Sequence, residues 1–202
     1  MASRIKLAGG DASFVKILDT FFGYDAAAVQ QPGVFPCREE MVKGESLGRF
    51  EGLNNEPDME SPYAYIYAGR HDRACEVIRA GLTQCYGDTP GGMVGNDDSG
   101  GMSSWYVWSA LGIFPVAGQD VFLLGSPLFD RAKIQFGRSC SLVIEAVGGG
   151  DGRQYVQAVS LNGVQHQRPY LCWEEMASGG ILSFEMTSTP TIWTQERPPS
   201  HS

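Results

Sequence analysis

Residues 103–126 read SSWYVWSALGIFPVAGQDVFLLGS, and the architecture turns on a change inside them. SSWYVWSAL has helical character, and Gly112 and Pro115 stop it. From about Asp120 the period becomes two. VFLLGS, AKIQF, CSLVIEAV, YVQAVSL and ILSFEM are runs rich in β-branched and aromatic residues, which predicts strands. Asn162-Gly163, between AVSL and VQHQ, is the signal of a tight hairpin.

Upstream of this switch the pattern is helices joined by long loops. Asp11 is read as the N-cap of ASFVKILDTFF, which puts Phe14, Leu18, Phe21 and Phe22 on one face and ends at Gly23. Residues 24–56 form an irregular stretch rich in Gly and Pro, a length that in a compact domain usually serves a function. Ser61 and Pro62 start a short helix that runs through Ala68 and stops at Gly69. His71 or Asp72 opens a helix to about Cys85, with Cys75, Ile78 and Leu82 on its apolar side. The expected class is α+β: helix and loop over 1–118, antiparallel strands over 119–194, and a disordered tail over 195–202. So small a strand section needs more sheet to pack against, a first sign of a fragment.

Composition narrows the function. The chain has 202 residues and a net charge of −8, which argues against nucleic acid because a phosphate-binding surface needs a positive field. With 43% hydrophobic and 19% charged residues, the composition argues against a disordered chain. No apolar run approaches the ~20 residues of a membrane span, and MASRIKLAGG lacks the apolar stretch of a signal peptide. Cys37, Cys75, Cys85, Cys140 and Cys172 show no metal-site spacing and read as buried small hydrophobes.

Two loops carry acids. One is Phe50-Glu51-Gly52-Leu53-Asn54-Asn55-Glu56-Pro57-Asp58-Met59-Glu60 and the other Gly95-Asn96-Asp97-Asp98-Ser99-Gly100-Gly101, each just before a helix. Such groups can gather oxygen ligands for a hard cation or set a carboxylate as a general base. Equally, Asp and Asn cap helices and make local turns in most loops. Each loop leads into aromatic residues (Tyr63, Tyr65, Tyr67; Trp105, Tyr106, Trp108), which suits a sugar site, although aromatics at helical spacing are more often core.

The run from Gly95 to Val116 resembles the G-[ND]-x-D-x-G-x-x-S-x-W-Y-x-x-x-A-x-G-x-x-P-V signature of glycoside hydrolase family 92, the α-mannosidases. Asn54-Asn55-Glu56-Pro57 with Pro62-Tyr63-Ala64-Tyr65 and Ala68-Gly69 is similar to that family's N-E-P…P-x-x-Y…AG segment; LAGG before the first helix and VFLLGSPL fit it too. The resemblance implies that 1–118 is the C-terminal portion of an (α/α)6 catalytic barrel. It also implies that the strands belong to a β-sandwich whose N-terminal domain is missing. It further implies an inverting, Ca²⁺-dependent exo-α-mannosidase, of α-1,2 type, acting on mannose-containing oligosaccharides or glycoprotein glycans, with no membrane partner, in a secreted or extracytoplasmic setting.

By the same resemblance Asp98 is the catalytic base, with Asp97 an adjacent alternative. Asn55, Glu56 and Asn96 bind substrate, and Asn55, Glu56 and Asp98 hold the metal. Leu53 and Asn54 depart from many relatives and leave the linkage open. The family's general acid is a Glu upstream of the first helix, so this chain is expected to lack it and to be inactive alone. Glu51 is a substitute to weigh against its ordinary reading as a solvated loop residue. The alternative function is a non-catalytic calcium- or carbohydrate-binding module.

Overall fold

The computed structural model describes residues 1–24, 55–93, 95–150 and 152–200. Cys37, Glu51, Leu53, Asn54 and most of the expected loop over 24–56 lie outside them. Six α-helices are described: α1 (Ala2–Leu7), α2 (Asp11–Phe21), α3 (Ala64–Tyr67), α4 (His71–Ala80), α5 (Gly101–Leu111) and α6 (Trp173–Ala177). Eight strands accompany them: β1 (Ile113–Pro115), β2 (Phe122–Leu124), β3 (Arg131–Phe136), β4 (Cys140–Val147), β5 (Tyr155–Leu161), β6 (Val164–His166), β7 (Tyr170–Leu171) and β8 (Gly180–Thr187).

Several boundaries move from their expected places. Gly10 with φ 107° caps α2, and Asp11 sits in its first turn. The helix expected from Ser61 is only α3, preceded by a turn. The helix expected to reach Cys85 changes pitch at Gly81 into one wide turn through Cys85, where the Thr83 hydroxyl donates to the Arg79 carbonyl at 2.8 Å. Gly112, left-handed at φ 76°, ends α5 as expected.

β1, β2 and β7 form one antiparallel sheet, with proline-ended β1 on its edge. The larger sheet runs β3-β4-β8-β5-β6. Leu161 faces Val164 across the Asn162-Gly163 turn, both of whose central residues have positive φ, as that hairpin requires. The expectation of purely antiparallel strands is corrected here: β4 and β8 are parallel, Ile144 facing Leu182. Parallel neighbours need a long return connection, and β5 to α6 provide it, so β8 fills the place between β4 and β5.

Alternation along β8 buries Leu182, Phe184 and Met186 against Leu142, Ile144, Val156 and Val159. A second core joins Phe14, Leu18 and Phe22 of the first helices to Tyr63, Ile66, Val77, Trp105 and Leu123. β1 and β2 pair across residue 118, so helical and strand sections share their packing. Residues 195–200, expected as a disordered tail, have neither helix nor strand. Arg197 pairs with Asp11 at 3.2 Å, and the Ser200 hydroxyl accepts from the Met1 amino group at 2.6 Å.

Candidate active site

The two acidic loops converge on the N-terminus of α5. Tertiary packing brings them there: the Trp105 indole N–H, from inside α5, donates to the Met59 carbonyl at 3.0 Å. Trp105 is itself buried and stacked on Tyr86, whose hydroxyl donates to the Met102 carbonyl. With that anchor in place, Glu56 Oε1 accepts the Asp98 backbone N–H at 2.9 Å, across 42 positions of sequence. The approach is close. A Cβ on Gly101 would stand 2.7 Å from Glu56 Cγ, so Glu56 lies directly over the first residue of α5. A helix N-terminus favours negative charge there.

The loop around Asp98 is bent by unusual backbone. Ser99 (φ 55°) and Gly100 (φ 73°) are both left-handed; for the serine this costs on the order of 1 kcal/mol. The bend leaves Asp98, Asn96 and Asn55 exposed and Glu56 half-buried. Asn55 Oδ1 accepts from the Glu56 backbone N–H at 3.1 Å and caps the short turn Glu56–Asp58.

Asp97 points another way. Its Oδ1 accepts from the Ser103 backbone N–H at 2.9 Å, and the Ser103 hydroxyl donates to Oδ2 at 3.0 Å. From three residues before Gly100, the N-cap of α5, Asp97 thus satisfies an N–H of the helix's first turn. The Ser103 N–H holds the Asp97 carboxyl below its ordinary value, with the Ser103 hydroxyl adding to the effect. Both oxygens are therefore engaged in ordering α5, while Asp98 is free to face solvent.

Asn55, Glu56 and Asp98 are oxygen donors, the type a calcium ion takes. Among the described residues no three His, Cys, Asp or Glu draw together as a metal cluster. The three oxygen donors suit calcium in kind and are fewer than its usual six to eight. Two members of the site escaped the sequence reading. Gly101 reads as the last residue of the acidic loop, and Ser103 as the start of the helix after it. A small residue at a helix start and a hydroxyl six positions after an acid are the only signals they offer.

Residues 1–188 match the model of the Glycosyl hydrolase family 92 catalytic domain. A family 92 α-mannosidase from Bacteroides thetaiotaomicron superposes with a TM-score of 0.79 at 27% identity, over 96% of this chain and 24% of that one. An inverting family 92 mannosidase from the same species superposes with a TM-score of 0.76 at 28% identity, over 92% of this chain and 25% of that one. An uncharacterized secreted glycosidase of Arthroderma benhamiae is 29% identical over 144 residues, 70% of this chain and 19% of the relative. The chain therefore spans a quarter or less of the length of these relatives.

Proposed function

From the premise that this chain belongs to glycosyl hydrolase family 92, we propose that it supplies the general-base half of an inverting exo-α-mannosidase site. The observation that carries the reading is the hydrogen bond from the Asp98 N–H to Glu56 Oε1, which makes one polar site of two distant loops. Asp98 is the base. Its exposed carboxylate takes the proton of a water that attacks the anomeric carbon opposite the leaving group. An acid from outside these residues protonates the departing oxygen, with the two carboxyl groups ~6.5–9.5 Å apart. Asp97 positions the loop against the first turn of α5, an assignment supported by its two bonds from Ser103.

Glu56, Asn55 and Asn96 bind and orient mannose hydroxyls. Asn55, Glu56 and Asp98 would hold Ca²⁺, which when bound orients those hydroxyls as a Lewis acid. The substrate is an α-1,2-linked mannose-containing oligosaccharide or glycoprotein glycan. The setting is extracytoplasmic, in keeping with the secreted relative; no helix of the described residues is long and apolar enough to cross a membrane. The rest of the site comes from a β-sandwich domain and the remainder of the helical barrel.

The test has two arms. The chain alone, given Ca²⁺ and α-1,2-mannobiose, is expected to bind without turnover; robust hydrolysis would overturn the missing-acid reading. A chimera with the part of a solved relative outside the match is expected to release β-mannose, and Asp98→Asn to lower kcat by about 10²–10⁴-fold. Binding that persists in a chimera that never turns over would instead favour a carbohydrate-binding module.

A further inference from the structure

A cavity of about 420 Å³ opens beside the loop that carries Asp98, a size suited to a small-molecule site. Its walls come from residues 86–93, the segment that leads into that loop, and from Tyr106 in the second turn of α5. Both walls are tied to the candidate active site. The Tyr86 hydroxyl donates to the Met102 carbonyl at 3.0 Å, and Met102 follows Gly101, over which Glu56 lies. Met93 stands three residues before Asn96, a stretch that spans at most ~11 Å when fully extended.

The cavity is shaped before any ligand arrives. The Gly87 N–H donates to the Gly92 carbonyl at 2.7 Å, and the Gly92 N–H to the Thr89 carbonyl at 2.8 Å. Residues 87–92 are thereby closed into a tight turn. A Cβ on Gly92 would stand 2.1 Å from the Gly87 carbonyl oxygen, so only glycine permits the closure. Tyr86 is fixed by Trp105, on which it stacks, and by Tyr106, tilted 45° to it at 4.9 Å between ring centroids. Half-buried Tyr106 and exposed Met93 offer apolar surface to the cavity, while exposed Asp88 and Thr89 bring a carboxylate and a hydroxyl.

Among the described lining residues Asp88 is the one charged group, and Val94, which lies outside them, is apolar. A negative wall disfavours an anion and suits a neutral ligand rich in hydroxyls. An aromatic ring with a few oxygens at its edge meets both faces of a pyranose: the ring takes the C–H face, the oxygens the hydroxyls. We propose that the cavity is a second sugar subsite, which receives the residue following the mannose on the leaving-group side. An exo-acting site has nothing ahead of the cleaved mannose, so a neighbouring sugar can only be the one that comes after it. The inference rests on the mannosidase reading above. It adds that the substrate is recognised as at least a disaccharide, by Tyr106 and Asp88 as well as by the acidic loops.

The test is titration of the chain, with Ca²⁺ present, by methyl α-mannoside and by α-1,2-mannobiose. The disaccharide is expected to bind tighter by on the order of tenfold. Tyr106→Ala should bring that ratio towards one, and Tyr106→Phe, which keeps the ring, should preserve most of it. Tyr106 also packs against the helical core, so Asp88→Ala at an exposed position is the second variant. It should lower the ratio by about fivefold without moving the thermal midpoint. Equal affinity for the two sugars overturns the subsite and leaves the active-site reading standing. A preference for mannobiose that Tyr106→Ala and Asp88→Ala both leave intact overturns it as well. Failure of both sugars to bind sinks the mannosidase reading, and the subsite with it.

Discussion

At Gly101 a single missing methyl group decides whether the acidic loops can meet. Any Cβ there would crowd Glu56 Cγ at 2.7 Å, and the carbon is too near the backbone to swing aside freely. Gly101→Ala should displace Glu56, cost about 1–3 kcal/mol in urea unfolding, and weaken calcium or mannose binding. Gly91→Ala, where nothing stands within 4 Å, is the matched control and should do neither. Asp97 gives a pH test. Its folded pKa is depressed, so its contribution is present above the ordinary carboxylate value of 3.8 and is lost as pH falls through the lower folded value. Thermal melts of Asp97→Asn should therefore fall below the parent at neutral pH and converge with it in acid. Glu76 is 1% exposed and accepts from Tyr24 (2.5 Å), Tyr155 (2.6 Å) and Arg73 (3.0 Å), tying α4 to β5. Glu76→Ala removes the acceptor of the buried Tyr155 hydroxyl and leaves Arg73 with its longer Asp19 pair at 3.6 Å, and should cost about 1–3 kcal/mol by chemical denaturation.

Among the elements, α5 and β8 organise the two halves. α5 was legible because SSWYVWSAL ends at a glycine suited to a left-handed cap, and Gly112 takes that conformation. Its start at Gly101 was not, since glycine is a poor helix former and the Asp97–Ser103 bond and the close Glu56 contact that accompany this first turn leave no local signal. β8 alternates cleanly and was legible as a strand. Its central place and its parallel neighbour were not, because alternation reports which face is buried and nothing about which strand lies alongside. Phe184, fully buried between β4 and β5, tests that placement: Phe184→Ala should cost about 3–5 kcal/mol in urea unfolding. An edge strand would lose far less.

For the molecule as a whole, apolar surface is the telling feature. Leu7 is 88% exposed, and Ile17 and Val107 also face outward from α2 and α5. Residues of this kind on several helices suit burial against further structure, in a chain that spans about a quarter of its solved relatives. The isolated chain should associate as its concentration rises, measured by light scattering. A strictly monomeric species with a single cooperative melt would show that these faces need no cover.

The sequence alone determined the class of elements, the family and the two acidic loops, because periodicity, turn chemistry and a contiguous motif are properties of neighbours along the chain. Only the tertiary structure decided that the Asp97 carboxylate accepts from Ser103 in the first turn of α5, while Asp98 offers its backbone N–H to Glu56. Adjacent residues of identical type have no local property to separate them. What distinguishes them is the direction the backbone turns at Ser99 and the glycine that lets a side chain 42 residues away come close.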